Sequence, residues 1–223
     1  MTPTDRTALP LTRRVLLAAG LGALLTAGCA GLIPATVPSP PSFYALDYAR
    51  PPGPSVAPPA GAPALLVSAP RASAGFDSQH MVYTRQPHKL ERFAHSEWID
   101  TPARMLSPLV VAALAGSGAF RAVVPAPSSA GGELRLDIEV LRLQQEFGTQ
   151  PSRVRFALRA DLVEDSLRRV IASQVFEAVV AAPEGSPYGG VTAANEAVST
   201  VLGELASFCA LGARGWKPAA KSP

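Results

Sequence analysis

The sequence predicts an α+β fold, a single domain with a mainly antiparallel sheet and two helices packed on one face. A strict alternation of apolar and charged residues over 134–140 marks one strand, and two further strand patterns follow it after short connections. Two other stretches repeat apolar residues at helical spacing. Because the order is strands, helix, strands, helix, we expect both helices to cover the same face of the sheet.

Short apolar segments predict the strands of the first half of the domain. Residues 64–69 are apolar and end at Pro70, which is typical of a short buried strand. Residues 81–84 and 119–124 predict two more strands of similar length.

The first helix is predicted to begin at Thr101-Pro102, with threonine as the N-cap and proline at the first helical position. Glycines at 116 and 118 end the helical pattern. Pro108 lies inside that pattern and predicts either a kink or a later start, because proline removes a helical hydrogen bond.

The second half of the domain predicts an antiparallel meander. After the alternation over 134–140, the apolar phase shifts to Leu141 and Leu143, which indicates a bulge. Residues 153–162 alternate again, and residues 170–180 complete a third strand.

The last element is a long amphipathic helix. Its Cys209 is predicted to fill the core, and the alternative is a reactive thiol. The apolar face of this helix is formed by Val191, Ala194, Val198, Val201, Leu202, Leu205, Phe208 and Cys209.

The start of the chain has the layout of an export signal. Arg13 and Arg14 precede an apolar run over 15–25, and small residues then lead to Cys29. This arrangement is similar to a bacterial lipobox, in which the cysteine is lipidated and becomes the first residue of the mature protein. Several acyl chains anchor a protein firmly. A transmembrane helix is the alternative, but the run is shorter than the ~20 residues that a span requires.

The route and destination of export are less closely defined. The segment 12–17 also resembles a twin-arginine signal, so either general or twin-arginine secretion fits. Ala30 stands where an aspartate often retains lipoproteins in the inner membrane. We therefore expect a lipid anchor in the outer membrane of a Gram-negative cell, facing the periplasm, with the periplasmic face of the inner membrane as the alternative.

Composition divides the chain into four predicted parts: a lipoprotein signal peptide (1–28), a lipidated tether (29–42), a folded domain (43–212) and a flexible tail (213–223). A second Pro/Ala/Gly segment at 49–63 predicts a surface loop. Removing residues 1–28 takes away three arginines and one aspartate, so the net charge falls from +3 to +1. No basic surface for nucleic acid is expected.

No catalytic, cofactor or metal site is predicted. His80, His88 and His95 lack metal-ligand spacing, and exposed loop histidines explain them better. Gly116-Ser117-Gly118 lacks the strand-turn-helix context of a nucleophile elbow. The glycines at 189 and 190 are better explained as a loop entering the last helix than as a phosphate-binding motif. We therefore expect a protein that is not an enzyme.

The segment 71–98 is the candidate partner-binding region, because it mixes aromatic residues with arginine. The alternative is that its aromatic residues cover the sheet as core. The candidate binding residues are Arg71, Phe76, Tyr83, Arg85, Phe93 and Trp98.

Three arginines share one face of the second meander strand. Arg153, Arg155 and Arg159 could meet lipid headgroups or an acidic partner. A solvated face opposite the acidic residues of 133–139 explains them equally well.

Residues spread along the domain make the chain resemble the auxiliary lipoproteins of ABC-type lipid transport systems, the PqiC/YmbA-like family. The likeness covers about residues 42–210, so the domain 43–212 would be an ABC-transport auxiliary lipoprotein domain. The residues that carry it are Phe43-Tyr44-Ala45-Leu46, Val67, Pro70, Met81-Val82-Tyr83, Pro87, Leu90, Phe93, Ser96, Trp98, Pro102, Phe120 and Val123.

The resemblance implies a non-catalytic auxiliary role. The partners would be an MCE-domain protein and its ABC permease and ATPase, which move phospholipid or other hydrophobic molecules across the envelope. Phospholipid binding and a homo-oligomer are both compatible with it. The alternatives are a structural or assembly lipoprotein of another envelope complex and, more remotely, a lipid-anchored hydrolase, for which nucleophile and base are lacking.

Overall fold

The computed structural model describes residues 40–48 and 57–217. The predicted signal peptide, Cys29 and most of the tether lie outside the described residues. So do residues 49–56 of the predicted surface loop and residues 218–223 of the predicted tail.

The described residues form an α+β domain with the predicted order of strands and helices. Its elements are β1 (Ser42–Tyr44), β2 (Ala64–Val67), β3 (Arg71–Ala72), β4 (His80–Thr84), β5 (Glu91–Trp98), α1 (Pro102–Gly116), β6 (Ala122–Pro125), β7 (Leu134–Glu146), β8 (Arg153–Glu164), β9 (Arg169–Ala181) and α2 (Pro187–Gly215).

The sheet is built around β7. Strands β7, β8 and β9 form the predicted antiparallel meander. Along its other edge, β7 pairs in succession with β2, β3 and β4, and all three pairings are parallel. Strand β6 lies outside β2, while β5 and then β1 lie outside β4. The sheet is thus mixed. Its parallel pairings were not predicted, because parallel neighbours need crossover connections that local periodicity does not reveal.

A bulge divides β7 at the predicted place. The register with β8 shifts between Val140 and Arg142. Before the shift, Ile138 and Val140 point to the apolar face, and after it Leu143 and Gln145 take that direction. The polar face continues through Arg142, Gln144 and Glu146.

Both helices pack on the apolar face of the sheet. Helix α1 contacts β6 and β7, α2 contacts β8 and β9, and the helices contact each other. Phe156 of β8 and Leu202 of α2 are fully buried between the layers. Each such side chain stabilises the fold by roughly 1.5–3 kcal/mol relative to exposure.

Helix α1 begins at Pro102 as predicted, and Pro108 lies inside it. The helix therefore does not start later, although Pro108 offers no N–H to the carbonyl of Arg104. Thr101 occupies the N-cap position, but its side chain caps nothing: its Oγ1 is buried and has no hydrogen-bond partner among the described residues. The helix ends before Gly118, whose φ of 65° suits glycine.

Helix α2 begins earlier than the sequence predicted. Pro187 is its first residue, so Gly189 and Gly190 lie in its first turn and not in an entering loop. Ser186 caps the helix, because its Oγ accepts a hydrogen bond of 3.0 Å from the Gly189 amide. Gly190 lets the helix approach β7, since a Cβ there would collide with the amide of Gln145.

Among the described residues, α2 is the one helix whose length and hydropathy would suffice to cross a membrane. It packs along the sheet as a core helix, and Val198, Val201 and Leu205 are fully buried. The helix runs to Gly215, into the segment predicted as a tail, and Trp216 packs against the core.

Candidate functional site at the hairpin end of the sheet

The polar face of the sheet is a ladder of ion pairs. Arg159 pairs with Glu139, its neighbour across the β7–β8 ladder. Arg155 donates from Nε to Glu146 Oε1 at 2.8 Å and also pairs with Glu177. The contact of Arg159 with Glu139 fits the predicted solvated face, whereas Arg155 pairs with two acids outside the segment 133–139.

The ion pair between Arg155 and Glu146 shifts the pKa of both groups. Hydrogen bonds from the Arg155 guanidinium hold the pKa of Glu146 below its ordinary value of 4.5, against the opposing effect of partial burial. The same bonds raise the pKa of Arg155. The charge of Glu146 is therefore already balanced within the ladder.

Two arginines at the same end of the sheet differ from those in the ladder. Arg142 follows the bulge in β7, and Arg153 begins β8 opposite Glu146. Both side chains are exposed, and neither makes a hydrogen bond or ion pair among residues 40–48 and 57–217. Arg142 affects the pKa of Glu146 only through its charge. Arg153 shares the polar face with Arg155 and Arg159, as the sequence predicted, but among the described residues it lacks the carboxylate partners that the other two have.

A groove of about 450 Å³ lies between the β4–β5 and β7–β8 hairpins. Its walls come from residues 84–90 of the first hairpin and residues 142–153 of the second, and we call it the hairpin groove. His88, in the turn of the first hairpin, has a φ of 66°. Arg142 and Arg153 both line the groove, and Leu90 lines it with 49% of its surface exposed.

An aromatic cluster stands beside the hairpin groove. The ring of Tyr83 lies 4.5 Å from that of Phe93 and 5.7 Å from that of Phe147, measured between centroids. The Arg85 guanidinium carbon lies 5.0 Å from the centroid of the Tyr83 ring, within cation–π range. Three of the candidate binding residues, Tyr83, Arg85 and Phe93, thus come together.

Phe147 was missed by the sequence analysis. It directly follows β7, so its position just after a long alternating strand, in a hairpin, was the available signal. A bulky aromatic residue at such a turn must either pack back on the sheet or remain exposed.

The other three candidate binding residues lie elsewhere. Trp98 is 4% exposed and belongs to the core. Tyr83, although it lies in the aromatic cluster, is also only 8% exposed, as expected if the aromatic residues of this segment cover the sheet as core. Arg71 is exposed on β3, opposite Glu139 of β7, and Phe76 is half-buried in the turn that follows β3. That these six residues bind a partner stays a prediction.

The residues examined for chemistry do not converge. His80 Nδ1 lies 3.7 Å from Glu97 Oε1, while His88 and His95 are exposed. Within residues 40–48 and 57–217, no three or more His, Cys, Asp or Glu side chains form a group that could hold a metal ion. Cys209 is fully buried, and desolvation raises the pKa of its thiol to about 12.

One family model matches most of the domain. It is described as ABC-type transport auxiliary lipoprotein component, and it matches residues 44–206. No curated protein matches the sequence.

Two solved structures show the same fold. A crystal structure of a DUF330 family protein from Xanthomonas campestris is 24% identical, with a TM-score of 0.66, covering 78% of this chain and 97% of that one. A second crystal structure is 13% identical, with a TM-score of 0.61, covering 77% of this chain and 99% of the other. The PelC dodecamer from Paraburkholderia phytofirmans is a more distant match, 16% identical, with a TM-score of 0.41 and coverages of 69% and 91%.

Proposed function

The chain belongs to the family of ABC-type transport auxiliary lipoprotein components, and we propose that it serves an MCE-type ABC system that moves lipid across the envelope. It would act without catalysis, anchored through Cys29 in the outer membrane and facing the periplasm. The observation that carries the proposal is the family match, which extends over almost the whole described domain.

The length of the tether supports a role close to a membrane. Residues 30–41 could span at most roughly 40 Å when fully extended. A lipid on Cys29 would therefore hold the domain within that distance of the bilayer surface. Such a position suits a component that meets a transport assembly at the membrane.

The domain supports docking better than passage of cargo through its interior. Its sheet and helices enclose a filled core, in which Leu136, Phe156 and Leu202 are fully buried. The hairpin end, by contrast, presents arginine side chains to solvent around the hairpin groove, and the cluster of Tyr83, Phe93 and Phe147 packs beside them. Arginine and aromatic residues are enriched at protein interfaces, so we place the contact with an MCE-domain protein there.

The test is affinity purification of the full-length lipidated protein from crosslinked native membranes, followed by mass spectrometry. Recovery of an MCE-domain protein with its permease and ATPase would support the proposal. Recovery of other outer-membrane or cell-wall components alone would overturn it in favour of the assembly lipoprotein. Separation of the two membranes by density before crosslinking would distinguish an outer-membrane anchor from an inner-membrane one.

Two matched arginine variants locate the contact. Arg85 and Arg104 are both exposed, each with one carboxylate partner, but only Arg85 lies at the hairpin end. We expect Arg85→Ala to reduce recovery of the MCE-domain protein and Arg104→Ala to leave it unchanged. Equal recovery of the MCE-domain protein with both variants would show that the hairpin end is not part of the interface.

A further inference from the structure

We propose that the hairpin groove binds the phosphate-bearing headgroup of an anionic phospholipid. This inference rests on the proposed function, because it assumes a domain that is tethered beside a lipid bilayer. It adds a ligand class and a site to that function.

The first argument is charge complementarity. Elsewhere on the polar face, Arg135, Arg155 and Arg159 are each bound by carboxylates. Among the described residues, Arg142 and Arg153 line the hairpin groove without such a partner, and the one acidic residue of this lining, Glu146, is held by Arg155. The groove therefore carries an excess of positive charge, which attracts an anionic ligand.

The second argument is the chemistry of the donors. A guanidinium presents a planar fork of N–H groups that matches the oxygens of a phosphate. The Cα atoms of Arg142 and Arg153 are offset by four positions along the ladder, which is roughly 13 Å. Both long side chains line the groove, and its 450 Å³ lie within the range of small-ligand clefts.

The third argument is the exposed leucine on the groove wall. Leu90 is 49% exposed in a turn that otherwise consists of polar residues and proline. An apolar side chain beside cations suits the boundary between headgroups and acyl chains. An acidic segment of a protein would explain the arginines but would leave Leu90 without a role.

The binding experiment uses the full-length lipidated protein in micelles of an uncharged detergent. Calorimetric titration with dihexanoyl-phosphatidylglycerol should show binding, with dihexanoyl-phosphatidylcholine clearly weaker. The double variant Arg142→Gln/Arg153→Gln should lose about tenfold or more in affinity, since charge-assisted bonds to phosphate are strong ones. Arg168→Gln, which removes an exposed arginine at the opposite end of the β8–β9 pair, is the matched control and should bind like the unchanged protein.

The source of the anion is tested separately. Leu90→Ser should weaken binding of phosphatidylglycerol but not the weak binding of inorganic phosphate. Inorganic phosphate bound as tightly as the lipid would overturn the lipid assignment, and so would tighter binding of an acidic hexapeptide. Unchanged lipid affinity in the double variant would overturn the site itself.

The experiments distinguish a failure of lipid binding in the hairpin groove from a failure of the proposed transport function. If the double variant still recovers the MCE-domain protein while the groove binds no lipid, the inference fails and the transport function stands. If the groove binds lipid but no MCE-domain protein is recovered with the unchanged chain, the transport function fails instead.

Discussion

At the scale of single residues, we expect neither of the two cysteines to react with a thiol reagent in the native protein, and only one of them to react after unfolding. Cys209 is fully buried, and burial raises the pKa of its thiol to about 12. Cys29 is predicted to be blocked by a lipid thioether. We therefore expect the native lipidated protein to be unreactive at pH 8, and the protein in guanidinium to show a single thiol of the two in the sequence.

Two outcomes would contradict this prediction in different ways. A thiol that reacts in the native protein would argue against the burial of Cys209. A second thiol after unfolding would argue against lipidation of Cys29. The Cys209→Ala variant, which should show no thiol in either state, identifies the group that reacts.

The arginines of β8 show how far sequence reasoning reaches at this scale. Alternation placed Arg153, Arg155 and Arg159 on one face, and the structure agrees. Which of them is neutralised depends on the bulge in β7, because the phase shift brings Glu146 onto the polar face within reach of Arg155. That choice could not be predicted, since it needs the register between two strands.

At the scale of elements, the two helix N-termini provide a matched test of capping. Ser186 Oγ accepts a hydrogen bond from the Gly189 amide, whereas the buried Thr101 Oγ1 has no partner among the described residues. We expect Ser186→Ala to lower the free energy of unfolding by about 1 kcal/mol. Thr101→Val should leave it unchanged within about 0.5 kcal/mol or raise it, because it removes an unpaired buried hydroxyl without changing the shape.

Urea denaturation of both variants and the unchanged protein measures these differences. A loss of about 1 kcal/mol or more for Thr101→Val would show that its hydroxyl caps α1 in solution. A neutral Ser186→Ala would show that α2 does not depend on its serine cap.

The ion-pair ladder predicts a pH dependence of stability. The pKa of Glu146 is lower in the folded protein than its ordinary value of 4.5. Its contribution to stability is therefore fully present above pH 4.5 and is lost as the pH falls through the lowered folded value. Glu146→Gln should lack this part of the fall in the free energy of unfolding at acidic pH. The difference should be up to about 1 kcal/mol, as expected for a partly exposed pair.

The measurement is the unfolding midpoint in urea between pH 3 and pH 7. Glu204→Gln, on the exposed surface of α2, removes one carboxylate outside the ladder and is the control. Identical pH profiles for Glu146→Gln and the unchanged protein would show that the Arg155–Glu146 pair does not stabilise the fold.

Elements with a strong period of their own could be predicted, and those defined by their neighbours could not. Strands β7 to β9 and helix α2 alternate or repeat over many residues, so local sequence determines their type. No strand was predicted at β5, because the charged, polar and aromatic residues of Glu91–Trp98 follow no regular period. The parallel pairing of β2, β3 and β4 with β7 depends on crossovers, which no local pattern records.

At the scale of the whole molecule, the hairpin groove combines residues that are far apart in the sequence. Alternation identified Arg153, and composition identified Arg85, but only the sheet topology brings residues 84–90 beside residues 142–153. The candidate site was thus predicted as separate pieces. The groove between them follows from the parallel β4–β7 pair.

The C-terminus tests whether the fold depends on residues beyond the predicted domain boundary at 212. Glu164 is 2% exposed, so its carboxylate must be compensated by bonded donors. Arg169 Nη2 bonds it at 2.9 Å, and Trp216 Nε1 donates to its other oxygen at 3.3 Å. Trp216→Ala should therefore lower the free energy of unfolding by about 1–3 kcal/mol, through lost apolar burial and an unpaired carboxylate oxygen.

Trp216→Phe keeps most of the ring packing and should lose less, whereas Lys217→Ala and deletion of residues 218–223 should have no effect. Denaturant unfolding of this series would contradict the argument if Trp216→Ala were as stable as Lys217→Ala, because Trp216 and its bond to Glu164 would then contribute nothing to stability.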